Sequence, residues 1–547
     1  MSLTARFGTL FGLLTLLLPS AIFVWQNPDV PLFGCQHDDG IYYVTAKAIA
    51  TGQGYVIPSL PGSPAQTKYP PALPLTLAIA WLINPEFPAN LQIASWIMWM
   101  WLPILLGLSF VFWKRLGLTG WRRWVLAAIL SLNAYVSYFS STFLSEIPFA
   151  ACLYAALLVA ESSEKPRSAV TAGILASIAF LFRTIGLAAL ALPALWMLRG
   201  ERQRAMRFLA GFLPLSLAWI LWSKLHQSSL PGEIVLYYTN YLGYHFAQLE
   251  WSSAHLFLWR NVDGFLTGIG GLILPTIYDS QIAHILTQAL AVASIAGVVR
   301  LVRGGNQMAL LAAAFAVPFS ALLLVWSFPP NERFVIPLAP LVWAGFVVEL
   351  GHISSGILKS FRHQDRGQRV AAGVMATICC AFLAWIAYGN WELRTEYFPQ
   401  LVTGQRERRV SEEVAQQWIR QNTAPDATFL AGFDSELYLR TGRQGARYIP
   451  PPKYWYHEDE EGRLKHLGQN TGKLARQNGL DYVYITKVDY RSDLSSEKQA
   501  AIAAKIAASP DLELLRKFPN GAAVYRVARG AKSATRLPAS RVSDTLP

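Results

Sequence analysis

The amino-acid sequence predicts a polytopic α-helical membrane protein. About 11 transmembrane helices are expected, with outer juxtamembrane helices and a small C-terminal α/β extracytoplasmic domain. Three observations point there. Of 547 residues, 53% are hydrophobic and only 15% charged, where a soluble chain carries roughly a quarter charged. Apolar stretches of the length that spans hydrocarbon recur through the first 391 residues. Beyond them the chain is densely charged, with 24 Lys and Arg against 19 Asp and Glu. The same composition excludes disordered, collagen-like and disulfide-scaffold classes.

Spans are predicted near 7–25, 91–112, 124–138, 144–160, 208–222, 281–302, 308–328, 335–358 and 370–391. The first reads as a retained anchor, because no small-x-small cleavage site follows its apolar run. Pro70–Ile83 is apolar but only 14 residues long, about 21 Å as a helix. As a span it would turn Lys114, Arg115, Arg122 and Arg123 outward, so it is assigned to the outer interface. Ala169–Leu198 has basic flanks on both sides, Lys165 and Arg167 before it and Arg199, Arg202, Arg204 and Arg207 after it. Flanks on one side of the membrane require two crossings by short helices, with Arg183 at the hairpin tip.

This count places the N-terminus in the cytoplasm and the C-terminal domain in the periplasm or outside the cell, with a bacterial inner membrane as the expected location. Inner segments then hold 17 Lys and Arg, and the outer loops before the tail hold six: Lys47, Lys68, Arg183, Lys224, Arg260 and Arg333. That is the positive-inside asymmetry. It accounts for the +13 net charge without a nucleic-acid partner. Cys35, Cys152, Cys379 and Cys380 have no metal-ligand spacing.

Residues 1–391 are assigned to the membrane domain, 392–529 to the α/β domain and 530–547 to a disordered tail. In the α/β domain, Ser411–Gln421 and Lys498–Ala508 are predicted helices. Thr428–Ala431 and Tyr482–Thr486 are predicted strands, and Leu512–Phe518 with Ala522–Val527 a closing β pair. The long connections, 26–90 and 223–280, fall outside with this tail. Long loops in a compact protein are usually functional, so chemistry is expected on the outer face.

The first outer loop reads Gln36-His37-Asp38-Asp39-Gly40-Ile41-Tyr42-Tyr43. Tyr42, Ala46, Ile49 and Ala50 fall on one side of a short helix, and Asp38 and Asp39 sit at its start, where the helix dipole favours a carboxylate. A plain cap needs one Asp; a base held at the membrane face is the other reading. Lys68-Tyr69-Pro70-Pro71 then leads into the interfacial helix, a rigid entry that Pro suits.

Asp38-Asp39-Gly40-Ile41-Tyr42, the exit Gly52-Gln53-Gly54-Tyr55, and Lys68-Tyr69-Pro70-Pro71 resemble the GT-C glycosyltransferases, in particular the protein O-mannosyltransferase and aminoarabinose-lipid A transferase group. Further on, Ser145-Glu146-Ile147-Pro148-Phe149 resembles the family's acid-Pro motif. Phe182-Arg183-Thr184-Ile185-Gly186 resembles its basic tip against lipid phosphate. Asn331-Glu332-Arg333-Phe334-Val335-Ile336-Pro337 resembles its entry to a late helix. The likeness covers residues 7–391, and the tail adds little. It implies Asp38 as general base, with Asp39 where the family has Glu, and Glu146 as a further catalytic residue that would orient the acceptor or help a metal with His255. His255 stands where aminoarabinose transferases carry a His that can bind metal, so a divalent metal is left open and no other cofactor is implied.

The outer face lacks nucleotide sugars, so the expected donor is a polyprenyl-phosphate-linked sugar. Arg183 and Arg333, with Lys68 as a third cation, would meet its phosphate; snorkelling into the interface is the competing reading. An acceptor hydroxyl on a lipid, glycan or protein would attack with inversion. Tyr42, Tyr241 and Trp251 could stack the acceptor or sugar, the latter two from the Tyr-rich loop Glu233–Trp259, or belong to the interfacial aromatic belt. Membrane lipids surround the bundle in every reading. The alternative is a transporter or flippase with an outer sensor domain, which would want mid-span ionisable residues and repeat symmetry. Only Glu349 lies clearly within a span. An envelope-assembly scaffold would not need the acidic pair.

Overall fold

A computed structural model describes residues 3–162, 166–227, 233–246, 248–275, 280–362, 366–486, 489 and 495–528. The expected tail, 530–547, lies outside the described residues. Among those described, seven helices are long and apolar enough to cross a membrane: Phe7–Gln26, Leu91–Arg115, Arg202–Leu225, Gln281–Arg303, Gln307–Leu324, Glu332–Ile357 and Arg369–Asn422. The other four predicted crossings are shorter helical segments: Trp121–Leu132 continued by Ala134–Ser140, then Glu146–Glu161, Pro166–Phe182, and Thr184–Leu198.

Pairing at the two ends of the bundle supports this count. At one end Arg115 meets Glu161, Asn306 reaches the Arg115 carbonyl, Arg204 reaches the Ala160 carbonyl and Arg199 reaches Gln307. All of these belong to loops predicted to lie inside. Glu349 is held by Arg300 through two bonds of 3.0 Å. Small residues let helices approach closely, as in other membrane bundles. A Cβ on Gly173 would stand 2.1 Å from the Phe208 carbonyl oxygen, and one on Gly211 would stand 2.2 Å from that of Val170. Ser177 and Ser216 bond across the same contact at 2.8 Å.

The opposite end carries the long loops. Ala72–Ile83 is a helix that packs on Asp38–Ala50, with the Trp81 indole donating to the Tyr43 carbonyl. Its other side leaves Leu75, Ile79 and Leu82 exposed, an apolar stripe suited to lying in the interface. At Arg183 the chain is extended (φ −149°, ψ 128°) and folds back. A Cβ on Gly186 would lie 2.7 Å from the Phe180 Cα, so only glycine fits this reversal.

The helix of the last predicted span continues past residue 391. Helix Arg366–Glu392 runs through Leu393–Tyr397 into Phe398–Asn422, carrying the chain into the α/β domain. There β1 (Thr428–Ala431), β2 (Gln444–Ala446), β3 (Tyr482–Ile485), β4 (Leu512–Lys517) and β5 (Ala523–Val527) form one sheet in the order β2-β1-β3-β5-β4. The pairs β1–β2 and β1–β3 are parallel, and β3–β5 and β4–β5 antiparallel. Phe429, Ala431 and Tyr484 face Ala415 and Ile419 of the long helix, whereas Leu430, Val483 and Ile485 join the core that holds Leu467, Ile502 and Ile506. The alternation is the period of two expected of strands buried on both sides.

This domain sits on the first long loop. Arg409 donates to the carbonyls of Asp29, Val30 and Phe33, and Arg406 pairs with Asp29. Gly445 N–H donates to the Ser59 carbonyl at 2.8 Å. A Cβ on Gly40 would stand 2.9 Å from Cβ of Ser435, so helix Asp38–Ala50 and helix Asp434–Thr441 touch nearly backbone to backbone.

Candidate functional site

Four sequence-distant motifs converge at the loop-bearing end of the bundle. Asp38 opens helix Asp38–Ala50, Glu146 opens Glu146–Glu161, Arg183 is the hairpin tip, and Arg333 lies on the short helix Glu332–Val335. Arg333 joins them. Its Nη2 donates to Asp38 Oδ2 at 3.0 Å, its Nε to Glu146 Oε1 at 2.6 Å and its Nη1 to Gln36 Oε1 at 3.3 Å. Arg183 donates to the same Glu146 oxygen. Glu146 is fully buried, and its Oε2 has no hydrogen-bond partner among the described residues. Asp38 is the most open of the four, its side chain 26% exposed.

The second Asp38 oxygen accepts from the Tyr69 hydroxyl at 2.5 Å. Tyr42 packs on Tyr69 with ring centres 4.6 Å apart. Lys68 is buried, its Nζ 3.5 Å from the centre of the Tyr237 ring. The Lys-Tyr-Pro-Pro motif therefore supplies two neighbours of Asp38. Burial alone would raise the Asp38 carboxyl. The charges of Arg333 and Lys68 and the Tyr69 bond outweigh it and hold the group well below the usual carboxylate range. Burial also lowers the Lys68 ammonium, to about 8.

Asp39 goes elsewhere. It is buried, and its carboxylate accepts from the backbone amides of Gly34 at 2.8 Å and Gly40 at 2.9 Å. Burial raises it to about 7 despite those bonds. Neighbouring helix residues point about 100° apart, which separates the two acids.

The other sequence-derived residues lie apart. Trp251 is 71% exposed and His255 is exposed on Ala254–Gly271. The side chain of Tyr241 lies outside the described residues. Among the described residues no group of three or more His, Cys, Asp and Glu could hold a metal ion. The carboxylates at the centre are matched to arginines, and among the described residues His255 has no group of metal ligands around it.

Sequence reading missed a second layer. His37 is buried with φ +60°, a conformation few non-glycine residues adopt. Its Nδ1 meets the Tyr237 hydroxyl at 3.1 Å and its Nε2 meets Asp434 of the C-terminal domain at 2.8 Å. Tyr238 donates to the other Asp434 oxygen at 2.9 Å. Burial lowers the His37 pKa against the pull of Asp434. The position of His37 beside Asp38 was a usable signal; nothing local marked Asp434.

Fold and site define an integral membrane protein with a paired carboxylate–arginine centre at one end of its bundle. Neither a family model nor a curated protein matches the chain. Among solved structures it is similar to ArnT from Cupriavidus metallidurans bound to undecaprenyl phosphate, at 15% identity and TM-score 0.48, covering 95% of this chain and 99% of that one. ArnT in the apo state gives 14% and 0.46, covering 90% and 94%. The arabinofuranosyltransferase AftD from Mycobacteria gives 16% and 0.48, covering 95% of this chain but 40% of that one.

Proposed function

We propose that the chain is a membrane glycosyltransferase of the GT-C kind. It moves a sugar from a polyprenyl-phosphate donor to an acceptor hydroxyl at the outer face, with inversion. In this reading the N-terminus is cytoplasmic and the C-terminal domain lies outside a bacterial inner membrane. The observation that carries the proposal is the bonded run Asp38–Arg333–Glu146–Arg183 beside buried Lys68.

Three cations against two carboxylates leave one positive charge, Asp39 apart. A phosphodiester carries one negative charge, so a sugar-phosphate-lipid would complete the balance in a partly desolvated place. Glu146 accepts from both guanidiniums and so holds them as a fork, the geometry that suits phosphate oxygens.

Both Asp38 oxygens are occupied at rest. A phosphate that draws Arg333 away would release Oδ2 while Tyr69 keeps the carboxylate in place. The acceptor oxygen then bonds to the anomeric carbon, and its proton passes to Asp38. The bond from that carbon to the phosphate oxygen breaks, and its electron pair leaves with the lipid phosphate. The guanidiniums meet the charge that develops there. A metal is given no step.

Asp38→Asn tests the reading. Asn fits the same space and can still accept from Tyr69, so the protein should fold. Transfer in membranes at matched protein levels should fall ~10²–10⁴-fold, the usual worth of a general base. Near-wild-type transfer would remove this mechanism. Mass-spectrometric profiling of lipid-linked sugars in a deletion strain would name the donor by what accumulates.

A further inference from the structure

A cleft of about 270 Å³ lies between the C-terminal domain and the first long loop. One wall is Leu430–Gly432 and Val483–Ile485, the carboxyl ends of β1 and β3. These strands are parallel neighbours, and the sheet order puts β2 on the far side of β1. From β1 the chain leaves through Asp434–Thr441 to β2 at one edge, and from β3 it leaves through Ser496–Ala507 to β4 at the other edge. Connections that depart in opposite directions open a crevice outside the carboxyl ends of the strands, the place where open α/β sheets bind ligands. The floor belongs to the membrane part: Gln36, His37 and Tyr237. Gln36 bonds Arg333, His37 adjoins Asp38, and Tyr237 packs on Lys68. The cleft therefore opens beside the charged centre.

Its chemistry is that of a polar ring binder. Tyr448, Trp455 and Phe328 line it with aromatic rings, and among the described lining residues Arg447 and Arg463 are cations and Asp489 is a carboxylate. Asp489 is engaged already, accepting from the Thr486 amide and hydroxyl, each at 2.7 Å. Arg463 lies 5.4 Å from the Trp455 ring centre. The Arg447 amide donates to the Tyr238 hydroxyl, and its half-buried guanidinium has no hydrogen bond or ion pair among the described residues. The volume lies just below the roughly 300–1,000 Å³ of small-molecule sites, enough for one ring and a substituent.

We infer that this cleft is the acceptor site, and that it takes a saccharide unit carrying an anionic group, the ring against the aromatic side chains and the anion on Arg447. The inference rests on the transferase reading for the word acceptor, but binding can be measured without turnover.

The test uses the full chain in lipid nanodiscs, with glucose 6-phosphate, glucose and inorganic phosphate as probes in ligand-observed NMR. Glucose 6-phosphate should bind at least ~10-fold more tightly than either other probe, since it alone uses both rings and cation. Arg447→Gln should weaken it ~10-fold or more, Arg447→Lys should recover part, and Asp38→Asn should leave it within about twofold. Arg447→Gln should also raise the KM for acceptor with kcat for the bound complex little changed. Phosphate binding as tightly as the sugar phosphate would overturn the saccharide. Binding that Arg447→Gln leaves intact and Arg333→Gln abolishes would place the probe in the donor site and overturn the cleft. Should Asp38→Asn retain full transfer while Arg447→Gln still loses the probe, the transferase mechanism falls and the saccharide site stands.

Discussion

Two adjacent aspartates divide between chemistry and scaffolding because the helix turns between them. Asp38 meets Arg333 and Tyr69, whereas Asp39 ties down the backbone of Gly34 and Gly40. Asp39→Ala orphans two buried amides and should cost about 1–3 kcal/mol of stability, read by thermal unfolding of the detergent-solubilised protein. Asp39→Asn gives a pH signature. A buried carboxyl raised to about 7 favours the protonated folded state, so its contribution is present below its unfolded pKa and is lost as pH rises through about 4 to 7. Wild-type stability minus that of Asp39→Asn should therefore fall across this window and level off above it. A flat difference would mean that Asp39 is ionised throughout. For Asp38 the sign is opposite, because cations hold it low. Lys68→Gln removes one of them, and the acid limb of the rate–pH profile should move up by about one unit. An unmoved limb would separate Lys68 from Asp38.

At the scale of elements, the hairpin at Arg183 is the point most sensitive to a single atom. Gly186→Ala puts a Cβ 2.7 Å from the Phe180 backbone, where no rotamer change can relieve it. The reversal must open, so Arg183 should leave Glu146, and donor binding should fall along with protein yield. Wild-type yield and donor affinity in Gly186→Ala would mean that the tip has slack. The basic flanks of 169–198 made the hairpin legible, and the Pro-Pro entry did the same for Ala72–Ile83. The strands at 428–431 and 482–485 and the closing pair were legible from apolar runs between turns. Helix Glu460–Gln477 was not, since its few buried residues, such as Leu467 and Ala475, are spaced among charges. Nor was β2, whose three residues Gln444–Ala446 carry no apolar alternation; its pairing with β1 and Ser59 defines it.

For the whole molecule, one span too many or too few would put Asp38 and the C-terminal domain on opposite sides. They touch through His37–Asp434 and Gly40–Ser435, so they share a side. The loops rich in Lys and Arg gather at the other end, which the positive-inside rule assigns to the cytoplasm. A reporter active only outside the cytoplasm should therefore work when fused after Ala528, and one fused between Gly304 and Gly305 should be silent. Reversed activity at both would invert the molecule and with it the outer-face donor. The C-terminal domain also proves integral to the site, whereas its sequence had offered no link. The Arg406 and Arg409 contacts to the first loop clamp it over the charged centre.

Sequence by itself determined that the chain is a polytopic helical membrane protein, where its long loops fall along the chain, and which of Asp38, Glu146, Arg183, Arg333 and Lys68 to watch. Hydropathy and charge bias are local properties, and each of these residues sits in a motif of a few positions. Only the tertiary structure decided that Arg333 binds Asp38 and Glu146 together, that Asp39 serves the backbone, and that Asp434 and Arg447 stand beside the centre from some 400 residues away. Those facts depend on which helix ends meet across the bundle and on how closely two glycine-bearing segments approach, and no spacing along one chain encodes a distance between two of them.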